Sequence, residues 1–147
     1  MGTYKAKLGE CYNCVLWALK DGYRHIDTAA FYDNEKEIGK AIKDSGVLRK
    51  DVFVTTKLWN SDHDDVKGAL TKSLKNLGTD YVDLYLMHFP VSKTRITAWK
   101  EMEKLYSAGL CKSIGVSNFT VKHLKELLKK TSIVPTVNQV EFHPYLY

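Results

Sequence analysis

The sequence predicts an α/β fold, an incomplete (β/α)8 TIM barrel of about six parallel strands with outer helices. Three observations carry this. Short β-rich apolar runs alternate with amphipathic helical patterns, which calls for a parallel sheet with right-handed crossovers. Polar residues close four of the runs, at Asp27, Lys57, His88 and Ser117, spaced 30, 31 and 29 residues apart, one βα unit each. No G-x-G-x-x-G or P-loop follows a strand, which sets aside a doubly wound nucleotide-binding sheet in favour of a barrel.

The elements follow in order. A remnant strand is expected at Gly2 to Lys5. Leu8 to Lys20 carries Val15, Leu16 and Leu19 in helical spacing and stops at Asp21-Gly22. The run Tyr23 to Thr28 is the next strand. Glu35 to Asp44, with Ile38, Ala41 and Ile42, is a helix that stops at Gly46, and Val52 to Lys57 is again a strand. Asp62 to Leu77 opens with Asp62, Asp64 and Asp65, acids that complement a helix dipole, and ends at Gly78. Strand Val82 to His88, helix Ile96 to Ala108, strand Lys112 to Ser117, helix Thr120 to Lys130 with a Thr120 cap, and strand Thr136 to Glu141 complete the series. A full barrel takes roughly 250 residues and rarely fewer than about 200. Five clear strands and the remnant at Gly2 to Lys5 make six of eight, so the 147 residues supply about three quarters of one.

Composition bounds the function. With 44% hydrophobic and 27% charged residues and no linker rich in Pro, Ser or Gly, residues 1–147 read as one partial barrel domain. Neither a long apolar run nor a signal peptide is present, so no membrane contact and a cytoplasmic address are expected. Three cysteines, two of them close together in a helix, do not make a disulfide framework. The formal charge of +5 is spread without a basic block; the lysines of Lys122 to Lys130 read as a solvated helix face, so no nucleic acid is expected. Cys11-x-x-Cys14 lacks partners at metal spacing, and Asp62-His63-Asp64-Asp65 reads as a solvated helix N-terminus, so no metal is expected either.

In parallel α/β barrels the chemistry sits at the carboxyl ends of the strands, where Asp27, Lys57, His88 and Ser117 fall. The surrounding motifs are more specific. Gly22-Tyr23-Arg24-His25-Ile26-Asp27-Thr28-Ala29 with Glu35, Ile38 and Gly39 forms one, and Met102 onward through Lys112-Ser113-Ile114-Gly115-Val116-Ser117-Asn118-Phe119 forms another. TTKLWN, DLYLMHFP and VNQVEFHPYLY stand between and after them. In these motifs, along essentially its whole length, the sequence resembles the aldo-keto reductase family.

That resemblance implies a barrel that binds NADPH without a dinucleotide-binding sheet and reduces a small-molecule aldehyde or ketone. It puts the catalytic tetrad on Asp27, Tyr32, Lys57 and His88, and cofactor contacts on Thr3, Asp27, Ser117, Asn118 and Gln139. Tyr4, Phe31, Trp59 and Phe89 are implied as the lining of the substrate pocket. A complete member would carry a strand before Gly2 and two more after Tyr147, including the groups that hold the pyrophosphate and the adenosine 2′-phosphate. The expectation is therefore a truncated barrel whose open edges invite self-association. A second reading makes it a catalytically silent remnant or interaction module.

The chemistry of the four residue types agrees. Hydride delivery to a carbonyl develops an alkoxide, which needs a proton donor and polar groups nearby. Tyr32 is the donor, Lys57 is expected to lower its pKa, and Asp27 keeps Lys57 charged. His88 orients the carbonyl oxygen. The competing readings are a structural Asp27–Lys57 ion pair and a satisfied core histidine at position 88. His25 reads as a buried, hydrogen-bonded interior residue.

Overall fold

The computed structural model describes residues 1–7 and 9–146. Five parallel strands form one curled sheet in chain order: β1 (His25–Asp27), β2 (Phe53–Leu58), β3 (Leu84–Met87), β4 (Ile114–Ser117) and β5 (Asn138–Gln139). Helices α1 (Glu10–Lys20), α2 (Glu35–Asp44), α3 (Val66–Leu77), α4 (Arg95–Ser107) and α5 (Val121–Lys130) alternate with them. The expected remnant strand is reduced to a single parallel bridge between Gly2 and Asp27. Its backbone bonds run from Asp27 N–H to the Met1 carbonyl and from Thr3 N–H to the Asp27 carbonyl.

Alternation along the strands sorts the two faces of the sheet. Ile26, Val54, Leu58, Tyr85, Met87, Ile114 and Val116 join the helix-covered core with Val15, Ile38, Leu70, Trp99 and Met102. Their neighbours His25, Asp27, Thr55, Lys57, Leu84, Leu86, Gly115, Ser117 and Gln139 face the hollow of the half-barrel, paired in the register Asp27↔Thr55, Lys57↔Leu86, Leu86↔Gly115 and Ser117↔Gln139. Gly115 is required there. A Cβ would stand 2.7 Å from Leu86 Cδ2 and 2.9 Å from the Val137 carbonyl.

Several element ends differ from the apolar runs, each for a local reason. Leu8 lies outside the described residues; α1 begins at Glu10, after Gly9 in the left-handed region, and the Glu37 carboxylate accepts from Gly9 N–H at 2.7 Å and Tyr12 N–H at 3.1 Å. The third helix starts at Val66 rather than Asp62, because Asn60–Asp62 forms a 3-10 turn and Asp65 takes the cap, accepting from Gly68 N–H at 2.9 Å. His63 is accordingly buried, not part of a solvated helix start. Thr120 caps α5 as expected, and the His123 ring reciprocates by accepting from Thr120 N–H at 3.3 Å. His25 bonds Thr55 Oγ1 at 2.9 Å, yet it is exposed rather than interior, since no described residue covers the hollow face of β1 at that level.

Where α2 crosses α3, Gly39 meets the last residue of α3 so closely that a Cβ would lie 2.6 Å from the Leu77 carbonyl carbon. Gly39→Ala, a change that normally stabilises a helix interior by about 1 kcal/mol, is expected here to destabilise by roughly 1–3 kcal/mol through overpacking. Urea unfolding of the two proteins measures it; an unchanged or raised midpoint would refute the close crossing.

Candidate active site

The carboxyl ends of β1, β2 and β3 converge on one ammonium group. Lys57 near the end of β2 is 1% exposed. Its Nζ donates to Asp27 Oδ1 at 2.5 Å, to the Thr28 carbonyl at 2.8 Å and to Tyr32 Oη at 3.4 Å. Tyr32 reaches this point because the chain leaving β1 turns at once into a 3-10 helix, Ala30–Tyr32, and closes with Asp33 in the left-handed region. His88 just past β3 stands edge-on to the Tyr32 ring, their centroids 5.8 Å apart. Asp27, Tyr32 and His88 thus line one open cleft of about 920 Å³, with the Lys57 ammonium buried behind Asp27 and Tyr32.

The electrostatics follow from burial and pairing. Burial pulls the Lys57 ammonium down and Asp27 opposes it, as an ion pair does for a desolvated charge. Tyr32 is pushed up to about 12, first by desolvation, then by the charge of Asp27 and by Tyr4. This reverses the expected lowering. Desolvation, with the Asp27 carboxylate beside it, favours the neutral phenol over the phenolate. His88 is lowered to about 4 by burial and by Lys57, which makes it a neutral imidazole at neutral pH. Its Nδ1 is buried without a hydrogen-bond partner among the described residues, unlike a satisfied core histidine.

The expected cofactor residues divide into two groups. Ser117, Asn118 and Gln139 meet at the ends of β4 and β5: Ser117 Oγ donates to the Gln139 carbonyl at 2.8 Å, and Asn118 Nδ2 donates to the His88 carbonyl at 3.0 Å and to Ser117 Oγ at 3.1 Å. Asn118 adopts φ 61, a left-handed turn that asparagine tolerates. Gln139 Nε2 then donates to Asp27 Oδ2 at 2.8 Å, joining the last strand to the first across the cleft. Thr3 is elsewhere. It is fully buried beneath the rim, its hydroxyl on the Asp27 carbonyl at 3.1 Å and its own carbonyl accepting from Asn34 Nδ2 at 2.9 Å. Hydroxyl, amide and carboxylate groups of the Ser117–Asn118–Gln139–Asp27 kind suit a carboxamide and a sugar hydroxyl, so the donor set fits a nicotinamide nucleoside.

The four aromatics expected to line a substrate pocket are assembled too. Phe31 stacks on Trp59 at 3.9 Å, Trp59 meets His88 at 5.1 Å and Phe89 at 6.0 Å, and Tyr4 lies 5.1 Å from Tyr32. The sequence reading missed the Thr28 carbonyl as a partner of Lys57. It also missed Asn34, whose Oδ1 accepts from Thr28 Oγ1 at 2.9 Å and so fixes the turn that carries Tyr32. The Asn34-Glu35 pair two residues after Tyr32 was the available signal.

Comparison with known proteins bears on this cleft. The aldo/keto reductase family model matches residues 5–146. Glyoxal reductase of Bacillus subtilis (strain 168) is 50% identical over 149 residues, covering 99% of this chain and 54% of that protein. Glycerol 2-dehydrogenase (NADP(+)) of Saccharomyces cerevisiae is 46% identical, with 99% and 56% covered. The crystal structure of a Bombyx mori aldo-keto reductase in complex with NADP superposes with a TM-score of 0.91 at 40% identity, over 97% of this chain and 53% of that one. The chain spans about half the length of the curated relatives it matches.

The depressed pKa of His88 predicts a pH dependence. The unfolded ring binds a proton near pH 6.5 and the folded ring only near 4, so the unfolded state carries more protons between these values. Stability from this group is complete above about pH 6.5 and is lost as pH falls towards 4. His88→Asn should flatten the stability profile in that window, by on the order of 2 kcal/mol. Urea titrations at pH 7 and pH 4.5 compare the slopes; parallel profiles would show that His88 is not desolvated as described.

Proposed function

We propose that this chain, which belongs to the aldo/keto reductase family, carries the carbonyl-reducing centre of an NADPH-dependent reductase of aldehydes or ketones. The observation that carries the reading is the buried Lys57 ammonium, which holds Asp27 at 2.5 Å and the Tyr32 hydroxyl at 3.4 Å at the mouth of one cleft. A bound NADPH supplies the hydride. The residues do the rest. As the carbonyl carbon accepts the hydride, its π pair moves to oxygen, and that oxygen takes the Tyr32 proton to give the alcohol. Lys57 beside the phenol stabilises the tyrosinate left behind. Asp27 keeps the lysine charged, and the neutral His88 ring directs the carbonyl oxygen towards Tyr32.

Residues Ser117, Asn118, Gln139 and Asp27 would hold the nicotinamide and its ribose. Their present bonds to one another supply the donors and acceptors that such a ligand exchanges for its own. Phe31, Trp59, Phe89 and Tyr4 exclude water from the reacting carbonyl and accept an apolar substituent. The relatives' names, glyoxal reductase and glycerol 2-dehydrogenase, support a small oxygenated substrate.

A phenol held protonated well above neutral pH is a donor throughout the working range. Tyr32→Phe removes it with little change of volume and is expected to lower aldehyde-dependent NADPH oxidation by about two to four orders of magnitude, with the enhancement of nicotinamide fluorescence on binding preserved. Undiminished turnover by the variant would overturn the assignment of Tyr32; no fluorescence change with the unaltered chain would overturn the cofactor reading.

One feature of the surface favours a second reading, in which the chain associates through its open sheet. Val137, Val140 and Phe142, on and beside the short strand β5, are 43%, 52% and 90% exposed, and Phe53 at the start of β2 is 40% exposed. Concentration-dependent self-association, followed by light scattering, is the expected behaviour, and Phe142→Ser with Val140→Ser should reduce it. A strict monomer at all concentrations would refute this.

A further inference from the structure

We infer that the hydrogen bond between His63 and Thr94 sets the spacing of the Trp59 and Phe89 rings, and thereby how large a carbonyl substrate the cleft accepts. Both are positioning residues, acting through the two rings and not on the reacting atoms. The inference rests on the reading of the cleft as a carbonyl-reducing centre.

Trp59 and His63 belong to one short turn: the Trp59 carbonyl accepts from Asp62 N–H at 3.1 Å across the 3-10 helix that separates them. Phe89 and Thr94 belong to another. The Phe89 carbonyl accepts from Val91 N–H, and the Val91 carbonyl accepts from Arg95 N–H, each at 3.0 Å. Arg95, at the first position of α4, is ion-paired with Glu126 of α5, which fastens the second turn to the helical layer. His63 Nδ1 lies 2.9 Å from Thr94 Oγ1. That bond is the side-chain hydrogen bond linking the two turns.

The burial of His63 strengthens the case. It is 4% exposed and its Nε2 has no partner among the described residues. A buried polar atom left unpaired is a cost that an apolar side chain of similar size would avoid. What the imidazole adds is the link to Thr94. At the other end of the two turns, Trp59 and Phe89 meet edge to face at 6.0 Å. A substrate large enough to touch both rings reads their separation, whereas a carbonyl of two or three carbons does not, and apolar pockets discriminate at the level of single methylene groups.

The test uses Thr94→Val, Thr94→Ser, His63→Leu and the pair Thr94→Val with His63→Leu. The first readout is the indole N–H resonance of Trp59, identified by its loss in Trp59→Phe. The second is KM and kcat for benzaldehyde against propanal. Thr94→Val and His63→Leu should each shift the Trp59 resonance, the pair should shift it no further, and Thr94→Ser, which keeps the hydroxyl, should restore it. KM for benzaldehyde should rise roughly three- to tenfold with kcat within about twofold, the signature of lost uniform binding, while propanal is unaffected. An unmoved Trp59 resonance, a serine variant that behaves like valine, or equal KM changes for both aldehydes would overturn the inference. No turnover by the unaltered chain, with the resonance shifting as expected, would overturn the reductase reading alone, because the resonance reports ring spacing without substrate.

Discussion

Everything at the rim of this sheet depends on keeping one ammonium charged out of water. A lysine as buried as Lys57 surrenders its proton unless an anion and further acceptors compensate. Asp27 and the Thr28 carbonyl provide them at 2.5 and 2.8 Å, and both come from the end of the neighbouring strand. The β1–β2 register is therefore more than packing: a slip by one residue would turn Asp27 to the helical side and leave the charge unmatched. Tyr32 stands next to this pair in a half-buried site, where desolvation first and the Asp27 charge second keep its proton in place.

Asp27 serves two partners, and that links the halves of the cleft. One oxygen faces Lys57 and the other accepts from Gln139 on β5. The ends of the first and last strands are thus joined through a side chain that the first strand needs for its own charge balance. Any ligand that takes Gln139 away from Asp27 must leave the carboxylate another donor, and a sugar hydroxyl can supply one. Cofactor binding and the state of Lys57 are in this way coupled through a single carboxylate.

Much of this was legible in the sequence because it depends on local periodicities. Their place at the close of successive runs, at near-equal spacing, assigned Asp27, Lys57, His88 and Ser117 to a common rim. Glycine stops and the Thr120 cap fixed helix ends. What could not be read depends on tertiary context. That Asp65, and not Asp62, caps α3 follows from the 3-10 turn that takes up Asn60–Asp62. The exposure of His25 depends on what covers the hollow face of β1, which no pattern within the strand encodes. The direction of the Tyr32 shift turned on desolvation, with the Asp27 charge adding to it, and residue types alone give neither burial nor distance. Thr3 sat at an expected cofactor position, but its hydroxyl and carbonyl are already taken by Asp27 and Asn34.

The packing divides the site between two parts of the sheet. Asp27, Tyr32, Lys57 and His88 all arise from β1, β2, β3 and the turns that follow them, beneath the closely packed helices α1, α2 and α3, whose buried faces include Val15, Leu19, Ile38, Ile42, Leu70 and Leu74. The carboxamide-type donors arise from β4 and β5. There β5 has two residues and α5 buries only Leu127 completely. Gln139 links the two groups through the same carboxylate that holds the lysine.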